Sequence, residues 1–344
     1  MSKLDKLTEI VTGLEPVQLR LAALKREGCQ IDDVDNQVLV EGIQQLNEYT
    51  ANSRQMGRDV CKLTAVPART AGVREVWVAS PRASQLTLAA AAVAGADFVL
   101  CAGGAQAITA LAFGTDSVSP VGVITGPGNR WVTAAKQRVS GRVGIDMLAG
   151  PSELLVVADG SADPSAVAAD LLAQAEHDVE ARVGLLSLEP ALLDAVDQEL
   201  SRQLQTLPTA DVASESVSNN GFAAHVPSLD VAVTVSDRLA PEHLHLNLQD
   251  ASAVAGRFGH YGGIFVGPGS AEVFGDYGLG PNHTLPTCGT GRHRGGLSVF
   301  DYMACRTFLR LDEASEALDD ARAFAELEGL HAHARSARSR FGRR

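Results

Sequence analysis

The sequence lacks paired cysteines, an excess of positive charge and any apolar run long enough to cross a bilayer. Its five cysteines, Cys29, Cys61, Cys101, Cys288 and Cys305, are scattered with no C-x-x-C pair. That spacing argues against a disulfide scaffold and a Cys-rich zinc knuckle and points to reduced thiols. The formal net charge is -12, so there is no general electrostatic case for nucleic acid or an anionic membrane. Arg335 to Arg344 is a short basic exception, which reads as a solvated tail or the last turn of a helix. The start, Met1-Ser-Lys-Leu-Asp-Lys-Leu7, has no apolar signal-peptide core, and Leu86 to Ala96 is too short for a membrane span. A cytoplasmic location is the expectation. No G-x-G-x-x-G fingerprint followed by a ribose-binding acid occurs either.

What is present is 45% hydrophobic content over 344 residues, enough for a sizeable core and two domains of ordinary length. Residues 1–62 read as a helical region with apolar positions at Val17, Leu19, Leu21, Leu24, Val38, Leu39, Ile43 and Leu46, expected to pack on the second of two α/β units. In residues 63–150, strand-like Val76 to Val78, Phe98 to Cys101 and Val121 to Thr125 alternate with alanine-rich helices, the pattern of a parallel sheet. Glycines follow the second and third of these strands, at Gly103-Gly104 and Gly126-Pro-Gly-Asn129, where backbone N–H groups can meet an anion or cofactor. A second alternation fills 151–306, with strands at Leu154 to Ala158, Val183 to Ser187 and Gly263 to Val266. The fold class is therefore α/β, two incomplete Rossmann-like domains with a cleft between them and a helical tail over 307–344. The chain reads as helical from Leu297 onward.

Gln174 and His177 are three apart near the end of the Pro164 helix, so both can point at one ion. Spacing alone fits a surface or capping pair as well. Asp276 follows a glycine-rich turn, and Asn282-His283-Thr284 lies in a polar, proline-bounded segment. Such oxygen and nitrogen donors without thiolates suit zinc, manganese or similar ions. Glu242-His243, after Pro241, can supply one group to activate water and one to move a proton, or can be an exposed loop pair. His331 and His333, near the end of the chain, read first as helix-end residues.

Taken together, Gly103-Gly-Ala-Gln-Ala-Ile108, Gly126-Pro-Gly-Asn129, Ile145-Asp-Met-Leu-Ala-Gly-Pro-Ser-Glu153, Asp170-Leu-Leu-Ala-Gln-Ala-Glu-His177, Pro241-Glu-His-Leu244 and Gly275-Asp-Tyr-Gly-Leu-Gly-Pro-Asn-His-Thr-Leu-Pro-Thr287 resemble histidinol dehydrogenases, in the same order. The resemblance runs from about residue 63 to 335. It implies oxidation of L-histidinol through an aldehyde to L-histidine, with NAD and a zinc site. The implied metal ligands are Gln174, His177, Asp276 and His333, with His331 a rival to the last; Glu242 and His243 are the implied proton-moving pair. Ser152, His283 and Glu328 resemble substrate-holding residues, and Gln106 and Asn129 resemble NAD contacts in the first α/β domain. The resemblance also implies a homodimer whose terminal segment completes the partner's site.

Two departures stand out. The family's Gly-Leu-Tyr-x-Pro-Gly-Gly loop, part of the dinucleotide wall, is missing just before Lys62-Leu-Thr-Ala-Val-Pro-Ala68, and Leu148 replaces a usual proline. The sequence thus leaves three readings: an NAD- and metal-dependent amino-alcohol dehydrogenase; a metal-dependent hydrolase or lyase acting without NAD on an imidazole-like or amino-acid-like substrate; and a non-catalytic binding homologue.

Overall fold

The computed structural model describes residues 64–81, 83, 85–276, 282–311 and 316–340, with the backbone alone at Leu86, Asp276, Glu316 and Arg340. The expected helical region over 1–62 lies outside the described residues. The chain divides after Met303 into two units.

The first part of the larger unit holds α1 (Val66–Thr70), β1 (Trp77–Ala79), α2 (Gln85–Val93), β2 (Phe98–Leu100), α3 (Gly104–Phe113), β3 (Val123–Ile124), α4 (Arg130–Val139) and β4 (Gly144–Ile145). Strands appear where the apolar runs put them, but among the described residues their pairing does not make one sheet. β1 pairs in parallel with β2, and β3 with β4, as two separate two-stranded sheets. A cavity of about 610 Å³ separates them, lined by the consecutive runs Val76 to Ala79 and Val121 to Thr125. A strand presents alternate residues from a face and consecutive ones from an edge, so two strand edges border this cavity.

Beyond it come β5 (Glu153–Ala158), α5 (Pro164–Ala175), β6 (Arg182–Ser187), α6 (Pro190–Leu204), α7 (Ala210–Asn220), β7 (Phe222–His225), α8 (Leu229–Leu239), β8 (His243–Asn247), α9 (Ala251–Val254), β9 (Gly263–Val266) and α10 (Val273–Asp276). The strands form one parallel sheet in the order β7-β6-β5-β8-β9. Chain order runs outward from β5 to β7, then jumps back beside β5 at β8. This reversal puts the crossover helices before it and those after it on opposite faces, because each crossover keeps one hand. Leu154, Val156 and Ala158 accordingly pack with Val167, Leu171 and Leu192 on one face. Leu155 and Val157 pack with Leu244, Leu246, Ala232 and Phe258 on the other. Every residue of β5 and β8 is buried, as expected for strands covered on both sides.

Local chemistry sets the helix starts. Asp163 accepts from the Ser165 N–H with Pro164 at the first helical position of α5, and Ser228 accepts from the Val231 N–H at α8. The smaller unit contains α11 (Glu316–Leu327) and α12 (His331–Arg340), which pack on each other. The expectation of continuous helix after Leu297 is corrected: Val299–Tyr302 is a 3₁₀ turn, and residues 303–311 form no helix. Phe308, Leu309 and Leu311 are all exposed, so no buried apolar face supports a helix over that stretch. Among the described residues no helix is long and apolar enough to cross a membrane.

Candidate active site

A cavity of about 880 Å³ lies where the carboxyl ends of β3 and β4 meet the amino ends of β5 and β8. Ligands of open parallel sheets ordinarily sit beyond the carboxyl ends at the reversal of strand order. Here the reversal lies between β5 and β8, as that rule requires, but the functional side chains enter at the amino edge. The reason is the antiparallel return of α5: its last turn brings Gln174 and His177 back to where β5 and β8 begin. Asp170, Gln174 and His177 are spaced four and three apart and share one side of that helix.

Gln174 is 1% exposed, and both it and His177 line the cavity. His177 Nδ1 lies 2.9 Å from the Ala173 carbonyl oxygen. A carbonyl can only accept, so Nδ1 carries the proton in that contact and Nε2 is the basic nitrogen of the neutral ring. Orientation of a ring by its second nitrogen on a backbone carbonyl is the usual arrangement for a metal-binding histidine. Two neutral donors on one wall, with no thiolate, therefore fit a zinc-like ion in part. Among the described residues no group of three or more His, Cys, Asp or Glu converges as a complete metal site.

Glu242 and His243 are buried, at 6% and 5% exposure, so the reading of this pair as an exposed loop is corrected. Pro241 does not leave them in a turn on the surface, because His243 is the first residue of β8 and pairs with Leu154. Both side chains are organised by one residue of the neighbouring strand. The Glu153 N–H donates to Glu242 Oε2 at 2.9 Å, and His243 Nδ1 donates to the Glu153 carbonyl at 2.9 Å. His243 Nδ1 is 3.7 Å from Glu242 Oε2, too far for the carboxylate to be its hydrogen-bond partner. Nε2 is thus the basic nitrogen of neutral His243 as well. Two residues along, His245 is fully buried, with Nε2 donating to the Gly267 carbonyl at 3.0 Å and Nδ1 3.2 Å from Asp170 Oδ2.

The sequence reading missed Glu153. Its carboxylate accepts from the Cys288 N–H at 3.2 Å and lies 3.5 Å from Arg182, while the Gly150 N–H donates to Thr287 Oγ1 at 2.6 Å. These bonds stitch the segment carrying His283 to the start of β5. Nothing in the sequence signals this stitching, because Cys288 is 135 residues from Glu153 and Thr287 is 137 from Gly150. Burial raises the Glu153 carboxyl above its usual range, against the Cys288 N–H and Arg182, which favour the anion. A raised acid costs the folded state stability above its folded pKa and nothing below the unfolded value of 4.5. Glu153→Gln should therefore be more stable than wild type near neutral pH. The difference should shrink on acidification toward pH 4.5. Urea midpoints across that range check this; a gap that widens on acidification would show the anion to be the favoured form.

Ser152, His283 and Asn129 line the same cavity as Gln174, His177, Glu242 and His243. Asn129 Oδ1 caps α4, accepting from the Trp131 and Val132 N–H groups. Gln106 is exposed in the first turn of α3 and does not line that cavity. Asp276 ends α10, after β9, and only its backbone is described. Glu328, His331 and His333 belong to the smaller unit, where all three are exposed.

Comparison with known proteins agrees with this architecture. The family model for histidinol dehydrogenase matches residues 22–341. The histidinol dehydrogenase of Parasynechococcus marenigrum (strain WH8102) is 46% identical over 307 residues, covering 87% of this chain and 70% of that protein. That of Thermus thermophilus is 47% identical over 301 residues, covering 87% and 73%. The crystal structure of histidinol dehydrogenase from Elizabethkingia anophelis superposes with a TM-score of 0.75 at 35% identity, covering 80% of this chain and 65% of that one. The present chain thus matches about two thirds to three quarters of the length of these relatives. It belongs to the histidinol dehydrogenase family.

Proposed function

We propose that the chain oxidises L-histidinol, or a closely related amino alcohol, to the amino acid with NAD, using zinc or another divalent ion in a homodimeric cytoplasmic enzyme. The observation that carries the reading is the buried Glu242-His243 pair, held by both backbone groups of Glu153 on the cavity that also receives Gln174 and His177. Gln174 and His177 would hold the ion, with Asp276 and a partner's copy of His333 completing its ligands. The ion would anchor the substrate's amine and imidazole nitrogens and supply Lewis acidity. Ser152 and His283 orient the substrate within the cavity, and Glu328 suits its ammonium group.

NAD, when bound, would supply the hydride acceptor for both oxidations, and His243 is placed to accept the hydroxyl proton in the oxidation of the alcohol to the aldehyde. Glu242 is placed to accept a proton from the water that adds to the aldehyde carbon, the hydration that precedes the second oxidation to the acid. Asn129 faces this cavity and retains its amide N–H₂ as a donor toward the dinucleotide. Gln106, on α3, is not brought beside it. The missing Gly-Leu-Tyr-x-Pro-Gly-Gly loop favours a second reading in which the same metal and carboxylate machinery acts on an imidazole-like or amino-acid-like substrate by hydrolysis or elimination.

Purified protein is expected to carry roughly one divalent ion per chain, to lose most of it in His177→Ala, and to form NADH when L-histidinol and NAD are supplied. Bound metal without histidinol-dependent NADH supports the second reading. Metal content unchanged in His177→Ala ends the assignment of that wall.

A further inference from the structure

The turn that leaves β3 is held by a buried ion pair that takes no part in moving protons. Lys136 on α4 and Asp146 just after β4 are 2% and 0% exposed and contact each other directly. Each also binds one side of the same residue. Lys136 Nζ donates to the Gly126 carbonyl at 3.0 Å, and the Gly126 N–H donates to Asp146 Oδ2 at 2.7 Å. Gly126 has φ of +115°, a conformation that L side chains rarely adopt. The preceding residue is held as well: Thr125 Oγ1 lies 2.9 Å from the Tyr302 hydroxyl, which donates to the Thr64 carbonyl at 3.0 Å. Three residues after Gly126, Asn129 turns the chain into α4 and faces the main cavity.

Two buried charges are an expensive way to fill space. Apolar side chains of similar volume commonly stabilise a fold as well or better. An ion pair gives what apolar groups cannot, a donor for one backbone group of Gly126 and an acceptor for the other, at a residue whose conformation is unfavourable unless fixed. Gly128, between Gly126 and Asn129, adds no slack, since a Cβ there would meet Val132 at 2.6 Å. We infer that Lys136 and Asp146 are positioning residues for the dinucleotide: they clamp Gly126 so that Pro127, Gly128 and Asn129 present one rigid rim to the cavity. This rests on the reading above that Asn129 faces NAD.

The test compares two double variants that both remove the buried charges. Lys136→Met with Asp146→Leu takes away both Gly126 partners, whereas Lys136→Met with Asp146→Asn keeps an acceptor for the Gly126 N–H. Gly126→Ala serves as a third variant that leaves the ion pair untouched and disturbs only the turn. The readouts are melting temperature, direct NAD binding by calorimetry, and amide exchange at Trp131 and Val132, the two N–H groups that Asn129 caps. The Met/Leu protein and Gly126→Ala should bind NAD about ten- to a hundredfold more weakly, the loss expected of a slightly misplaced contact. Exchange at Trp131 and Val132 should speed up, and the Met/Asn protein should recover part of the affinity. A folded Met/Leu protein with wild-type melting temperature, wild-type NAD affinity and unchanged exchange overturns the inference, as does wild-type affinity in Gly126→Ala. Wild-type protein that binds no NAD overturns the dinucleotide reading itself and this inference with it, an outcome distinct from wild-type binding that the variants share.

Discussion

Glu242→Gln is expected to fold and bind metal as wild type does, yet to lose about 10²- to 10⁴-fold in conversion of the aldehyde to the acid, the usual contribution of a positioned general base. The substitution is nearly isosteric. A glutamine side-chain oxygen can still accept the Glu153 N–H that Glu242 Oε2 accepts at 2.9 Å, so the position of the group survives while its capacity to take a proton does not. The first oxidation needs no water, and His243 remains to accept the hydroxyl proton, so alcohol oxidation should fall much less. Feeding the aldehyde directly, beside the alcohol, separates the two steps, and metal analysis on the same preparations controls for damage. Equal losses in both oxidations and in metal content would mean that Glu242 is structural. A loss confined to the alcohol would exchange the roles assigned to Glu242 and His243.

The sequence made the individual elements legible where physics is local. The run Leu154 to Ala158 becomes β5, and the spacing of Gln174 and His177 places both on one wall of one cavity. What it could not supply is pairing. β8 reads His-Leu-His-Leu-Asn, an alternation that suggests one wet face, yet all five residues are buried. Part of the polar face is satisfied where the Gly267 carbonyl meets His245 and the Glu153 carbonyl meets His243, partners distant in the chain. Glu153 is invisible for the same reason: it holds Glu242 and His243 through its backbone groups, and its carboxylate meets Cys288, 135 residues away. The placement of the site at the amino edge of the larger sheet depends on where α5 ends relative to its strands, which no local pattern records.

The divided first sheet is the second non-local result, and it bears on function. The chain lacks the loop that the resemblance places just before Lys62, and Thr64 stands on the rim of the cavity that separates β1 from β3. The five-stranded sheet, which carries Glu153, Glu242 and His243, shows no such gap, and its strands pair continuously from β7 to β9. On the proposed reading, the metal and proton-moving residues sit on the continuously paired sheet, and the residue assigned to the dinucleotide, Asn129, follows the divided one.

That difference makes the larger sheet the place to test what holds the site in register, and Leu246→Ala is expected to cost about 2–5 kcal/mol, a large share of the roughly 5–15 kcal/mol that domains possess. Leu246 is 0% exposed and packs with Leu155, Val157, Leu186 and Phe258, side chains held on other strands and on the chain between β8 and β9. Paired on both edges, β8 cannot shift to fill the hole without breaking its register with β5 or β9. The denaturant midpoint should fall with little change in the slope of the transition. Leu239→Ala, at a position 42% exposed, should stay within about 0.5 kcal/mol and serves as the control. Because successive residues of a strand face opposite ways, Leu246 points away from the side that carries His243 and His245. Activity per folded molecule, measured well below the transition, should therefore stay close to wild type. A cost under about 1 kcal/mol would be too small for a buried leucine in so confined a site and would refute the packing assigned to β8.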